Sequence, residues 1–282
     1  MDALSALRLQ LAWGADEALA ETAIDRFRAA IAPAHPIPAH PIPAHSIPAH
    51  SIPAPAAVRL GVAPAAAPPI ATGARAPAAE RAGELASAAG TLEALREALA
   101  GFDGCPLRDT AASLIFGDGT AASGLMLVGD APGDAEEREG RPFAGAQGAL
   151  LDRMLATIGL GRDTVRIGML VPWRPPGGKP PTEGEIATCL PFLLRHVALV
   201  RPRRLLVLGP LAGRALLPVP PQARRQPRGQ WMAVMVPGLP DPVPAIASAG
   251  PALLLGKPAE RRRAWADLRL VRRAVDADLA NS

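Results

Sequence analysis

Residues Leu125 to Leu155 read LMLVGDAPGDAEEREGRPFAGAQGALLDRML. It opens on Leu125-Met126-Leu127-Val128, an apolar run too short for a helix and stopped by Gly129, which predicts a buried strand. Gly129, Pro132 and Gly133 then predict a sharp turn able to lie close to a ligand. Asp130 falls at the carboxyl end of the strand, where open α/β sheets build their sites. Gly140-Arg141-Pro142-Phe143 follows, and Leu150, Leu151, Met154, Leu155 and Ile158 recur at helical spacing. The pattern sets a carboxylate and an aromatic ring on the flanks of one cleft.

Working outward, strand and helix patterns alternate. Val165 to Val171 is a second apolar run, Glu183 to Arg201 has helical periodicity, Arg204 to Gly209 (RLLVLG) reads as a third strand, and Leu211 to Leu217 begins another helix. Met232 to Val236 reads as a fourth strand, Ala245 to Gly250 as a shorter extended segment, and Pro258 to Ala280 as a charged amphipathic helix. A helix is also expected over Leu92 to Ala100. Such alternation predicts a three-layer α/β/α domain over residues 83–282, with a central, mainly parallel, four-stranded sheet.

Upstream, residues 1–31 read as an amphipathic helical segment interrupted near Gly14, with Leu7, Leu11, Leu19, Ile24 and Phe27 set among charged residues. Residues 32–82 change character abruptly. His35 to Ala54 is the repeat HPIPA-HPIPA-HSIPA-HSIPA, and proline at this density removes backbone donors and fixes φ, so a disordered tether is expected. Four of the five histidines lie there, on a chain that would bear the full ordering cost of holding a metal, so a spacer is the preferred reading. The helix and tether together suit recruitment of a protein partner.

Composition sets wider bounds. The 282 residues are 49% hydrophobic, enough for a substantial core, and the formal net charge of +4 suits a polyanionic partner without requiring one. No run is long enough to span a bilayer, and the start lacks a signal-peptide pattern, so a cytoplasmic protein is expected; a monomer is the expected state.

Three blocks carry a resemblance. GDAPGDAEEREGRPFAGAQGALLDRML resembles the first motif of the family 4 uracil-DNA glycosylases, GEAPG followed by GxPFVGxxGxLLDxML. VPWRPPGGKPPTEGEIATCLPFLLRHVALVRPRRLLVLGPLAGRALL is similar to their middle block, and GPALLLGKPAERRRAWADL to their last, HPAxLLR with a KRxAWxDL helix. The match runs in order from about Phe102 to Val271, which makes it far more specific than a lone Gly-Pro turn.

The resemblance implies that a uracil is flipped out of DNA and its bond to the sugar hydrolysed. Phe143 matches the stacking aromatic, and Asp130 stands at the place of the catalytic glutamate, one methylene shorter. Gly129, Ala131, Pro132 and Gly133 match the turn that presents the carboxylate. Two positions depart: Met169 aligns with an Asn that reads the uracil edge, and Gly250 with a His that stabilises the departing base. The alternative is therefore a catalytically impaired DNA- or nucleotide-binding homologue acting as an interaction module, since sites built on hydrogen bonds lose large factors with them. Arg174, Lys179 and Arg261 are expected to meet DNA phosphate, and Leu253 and Leu254 to form an apolar wedge. The family's [4Fe–4S] cluster is held by four cysteines, and the matching positions here are Phe102, Cys105, Trp173 and Cys189. No cofactor is expected, and the two thiols should lie together, buried and reduced.

Overall fold

A computed structural model describes residues 77–218 and 228–280. The segment 1–31 and the HxIPA repeats lie outside the described residues. Helices α1 (Ala78–Ala88), α2 (Leu92–Gly101) and α3 (Leu107–Thr110) precede strands β1 (Gly117–Asp118) and β2 (Leu125–Gly129). Helices α4 (Asp134–Glu139) and α5 (Gly145–Thr157), strand β3 (Arg166–Met169) and helix α6 (Glu183–Val200) follow. The chain continues through β4 (Arg204–Leu208), α7 (Pro210–Leu216), β5 (Trp231–Val234), β6 (Val243–Ser248), α8 (Pro251–Gly256) and α9 (Arg261–Ala280). Helix α1 begins inside the stretch expected to be tether, because Ala82 and Ala86 find a buried surface to pack on.

The sheet has six strands in the order β1-β3-β2-β4-β6-β5, two more than expected. Its four inner strands, β3, β2, β4 and β6, are mutually parallel, and β1 and β5 close the two edges antiparallel. The fourth strand expected over Met232 to Val236 is thus the edge strand Trp231–Val234, while the segment read as merely extended is the inner strand β6. Periodicity hides this because β6 is rich in small residues, VPAIAS, and owes its place to burial on both faces.

Side chains alternate across the sheet as the period of two demands. Met126, Val128, Leu205, Val207, Ala245 and Ala247 join one cluster with Leu95, Leu99, Phe192 and Leu193 of α2 and α6. Leu125, Leu127, Leu206 and Ile246 are buried against the other face, where α9 meets β6 and Arg272 of α9 donates to the Ile158 carbonyl at the end of α5 (2.8 Å). Helix α6 starts where Thr182 and Glu185 cap each other: Thr182 N–H donates to Glu185 Oε2 (2.7 Å) and Glu185 N–H to Thr182 Oγ1 (3.3 Å). That box anchors the far end of the Pro-rich loop that rims the cleft. Among the described residues no helix is long and apolar enough to cross a membrane.

Candidate active site

The inner strands end side by side on one edge of the sheet, and their successors line a cleft of about 1050 Å³. Asp130, Ala131, Pro132 and Gly133 follow β2; Met169 ends β3; Gly209, Pro210 and Leu211 follow β4; Ser248, Ala249 and Gly250 come from β6. This is the place where an open parallel sheet offers free backbone groups and loop ends to a ligand.

Phe143 and Met169 line the cleft and meet at Gly129. A Cβ there would lie 2.6 Å from the Phe143 ring and 2.9 Å from Met169 Sδ, so ring and thioether converge on a position that leaves no space for a side chain while they stay in place. Phe143 is buried and takes φ of 49°, unusual for a side-chain-bearing residue. Met169 gives this part of the cleft an apolar surface with no strong donor or acceptor.

Asp130 is half-buried and reaches over to β4. Its Oδ1 accepts the Ala212 N–H at 2.7 Å, and the Leu211 N–H adds a second bond. Burial raises its pKa above the ordinary carboxylate value, opposed by those two N–H groups and by Arg214. The carboxylate is thereby fixed in direction while its proton affinity is increased.

Gly250 approaches the β4 end so closely that a Cβ would lie 3.1 Å from the Leu208 carbonyl oxygen. Behind it, Ser248 donates to Asp267 Oδ2 (2.7 Å), and Arg228 pairs with Glu260 (3.0 Å) and approaches Asp267 (3.5 Å). Burial raises the Asp267 pKa, against the bonds from Ser248 and Arg228.

The residues expected to meet DNA divide into two groups. Lys179 is exposed on the rim, and Leu253 stands 40% exposed at its edge. Arg174, by contrast, is turned inward, bridging Asp134 and Glu137 (3.0 Å to Glu137 Oε2), so its charge is already neutralised. Glu137 also accepts the Ala112 N–H (2.8 Å), and that bond, with Arg174, holds its carboxyl below the ordinary value despite the opposing effect of desolvation. Leu254 is core, 1% exposed, because Pro251–Gly256 is a helix and not an open loop; its outward place passes to Leu255, 40% exposed. Arg261 is half-buried and does not line the cleft, whereas Lys257 and Arg263 do. Arg263 belongs to the run Arg261-Arg262-Arg263 that the sequence sets beside the wedge segment, whereas Lys257, Arg214 and Glu136 are cleft residues that sequence reading missed; of these only Glu136 left a signal, three residues after Gly133 at a helix start.

The cluster positions lie under the opposite face. Cys105 and Cys189 are free thiols, both buried, with sulfurs 4.0 Å apart. The hydrogen bond between them, then burial, pushes the Cys189 thiol up, and the same bond holds Cys105 below its ordinary value. Phe102 and Trp173 are both buried, the Phe102 ring 5.3 Å from that of Phe192. Two thiols with two apolar rings do not make the four-thiolate donor set of a [4Fe–4S] cluster. His196 is neither in the cleft nor on the surface: it stacks on Phe116 (4.7 Å between centroids) and its Nε2 accepts from Arg166 Nε (2.9 Å). Burial, then the Arg166 charge, lowers its pKa to about 3.

A sequence model of the Uracil DNA glycosylase superfamily matches residues 116–269, which contain every inner strand and the cleft. A protein named Type-4 uracil-DNA glycosylase from Pyrobaculum aerophilum is 38% identical over 126 residues, 45% of this chain and 64% of the relative. Proteins of the same name from Sulfurisphaera tokodaii (39% over 120 residues, 42% of this chain and 54% of the relative) and Saccharolobus solfataricus (40% over 106 residues, 37% and 49%) are also similar. The aligned part thus spans between about half and just under two thirds of these relatives' length. With the superfamily model matching more than half of its residues, the chain belongs to the uracil-DNA glycosylase superfamily.

Proposed function

We propose that the protein is a DNA repair glycosylase that flips uracil out of DNA and hydrolyses its N-glycosidic bond. The observation that carries this reading is that Asp130 and Phe143 line one cleft at the carboxyl ends of the inner strands. A flipped base stacks on the Phe143 ring, and ionised Asp130 faces the sugar, stabilising positive charge that develops at C1′ and orienting water. Water oxygen bonds to C1′, the bond from C1′ to N1 breaks with its electron pair going to the base, and a water proton passes to Asp130 or solvent. Lys179, Lys257 and Arg263 supply positive charge along the rim for phosphate. No iron–sulfur cluster enters this reading, because its donor set is half replaced by Phe102 and Trp173.

The test is incubation of the full chain with single- and double-stranded oligonucleotides carrying one uracil, followed by alkaline cleavage, beside Asp130→Asn. Cleavage by wild type and its loss in the variant are expected; intact DNA at high enzyme excess sinks the proposal. A second reading, a DNA-binding homologue with little activity, is favoured by Met169 and Gly250, which line the cleft where the resemblance implies Asn and His. Retained uracil-independent binding without cleavage is its signature.

A further inference from the structure

We propose that Arg162 and Glu136 are positioning residues that clamp the Phe143 backbone from both sides and so set the angle of the stacking ring. The inference deepens the proposed function and rests on Phe143 as the platform. It starts from Phe143's positive φ, a conformation that persists only where neighbours over-determine it.

Arg162 lies between α5 and β3 and does not line the cleft. Its Nη1 donates to the Pro142 carbonyl (2.9 Å) and its Nη2 to the Phe143 carbonyl. The guanidinium is itself held by Asp152 of α5 (Nε to Oδ1, 2.5 Å) and Asp118 of β1 (3.6 Å). A planar fork with donors on all three nitrogens can serve two carbonyls and a carboxylate together, which a lysine ammonium cannot do in the same geometry.

Glu136 closes the other side. It is 3% exposed, and its two oxygens divide their work: Oε1 accepts the Ala144 N–H (3.3 Å), the residue after Phe143, and Oε2 accepts the Gly133 N–H (3.1 Å) in the turn that carries Asp130. One buried carboxylate therefore couples platform to carboxylate turn. Helix α5 leaves no slack, since a Cβ on Gly148 would lie 2.1 Å from the Phe143 carbonyl oxygen. The ring edge lies against Gly129, where Met169 Sδ also converges, so loss of either clamp lets the ring tilt relative to Met169, and loss of Glu136 also releases the Gly133 turn.

The experiment has two arms. In the first, the protein without DNA is labelled with ¹³C at the methionine methyls, and the Met169 signal reports the ring current of Phe143. Arg162→Lys and Glu136→Gln, each shown by thermal melting to be folded, should move that signal toward its position in Phe143→Ala. A folded variant whose Met169 signal stays at the wild-type position overturns the proposal. In the second arm, affinity for a single-stranded oligonucleotide with one uracil is compared with the thymine equivalent. Phe143→Ala should weaken the uracil-dependent part about 5- to 150-fold, the range for one stacked base. Arg162→Lys should weaken it less and add nothing in the Phe143→Ala background, whereas additive losses contradict the clamp. If the methyl signal moves but Phe143→Ala leaves uracil binding unchanged, the clamp stands and the glycosylase reading falls.

Discussion

Asp130 and Gly209 face each other across the ends of β2 and β4 with no space for a side chain between them: a Cβ on Gly209 would lie 2.4 Å from the Asp130 carboxyl carbon and both oxygens. Gly209 also takes φ of 140°, outside the range favoured by other residues. The glycine and the two N–H groups at the start of α7 together fix the carboxylate's direction. Gly209→Ala should therefore displace Asp130 and lower single-turnover uracil release at least about tenfold, with a stability loss on the order of 1–3 kcal/mol from the strained backbone. A variant as active as wild type would show that Asp130 does not act from this position.

Burial raises the Asp130 pKa, and the sign of the effect on activity follows. The carboxylate serves as a charge only when ionised, so activity should fail on the acid side at a pH above the ordinary aspartate value. For stability the sign is reversed: ionised Asp130 opposes folding above its raised pKa, and that penalty is relieved as pH falls through it. A pH profile of kcat/KM for wild type beside Asp130→Glu would check this. An acid limb at or below the ordinary value contradicts it.

The inner strands were legible because LMLVG and RLLVL are buried on both faces, and a parallel sheet writes that as unbroken apolar runs. Strand β1, two residues long, and the small-residue strand β6 carry no such signature and depend on pairing partners distant in sequence. At the site, Asp130 and Phe143 were legible because one continuous motif carries both. The inward turn of Arg174 was not, since Asp134 and Glu137 reach it only after the chain folds back. Helix phase decided between the leucines: the sequence offers Leu253, Leu254 and Leu255 alike, and the α8 backbone buries only the middle one.

Met169 and Gly250 can be replaced by Asn and His, the residues that the resemblance implies at these two positions. Gly250 has extended backbone, φ −70° and ψ 157°, so Gly250→His has no φ penalty, but its Cβ would press on the Leu208 carbonyl and should lower stability by about 1 kcal/mol. Met169→Asn should improve discrimination of a uracil-bearing over a cytosine-bearing oligonucleotide by about tenfold or more, because the two bases present opposite donors and acceptors on the edge that an amide reads. Competition between the two oligonucleotides measures the ratio; no gain in the double variant would mean that the base does not reach β3.

His196 makes stability pH-dependent on its own. Its pKa is about 3 in the folded protein and near the ordinary 6.5 when unfolded, so the unfolded chain takes up a proton first as pH falls. Stability contributed by the neutral ring is present above pH 6.5 and drains away below it, by up to about 1.4 kcal/mol per pH unit until the folded value is reached. Denaturant melts between pH 8 and 4 should show this slope, and His196→Gln should flatten it. An equal slope in the variant would assign the acid sensitivity to carboxylates.

The rim charges separate by salt dependence. Lys257 and Arg263 line the cleft and Lys179 is exposed there, so each replacement by alanine should reduce the log–log salt slope of single-stranded DNA binding by about 0.7. Arg174→Ala should behave differently. Its guanidinium is committed to Asp134 and Glu137, so its loss leaves two carboxylates beside the turn that carries Asp130; it should lower thermal stability while leaving the slope near that of wild type. If Arg174→Ala reduces the slope as much as Lys257→Ala, the arginine leaves its carboxylates when DNA binds, and the division of the rim into inward and outward charges is wrong.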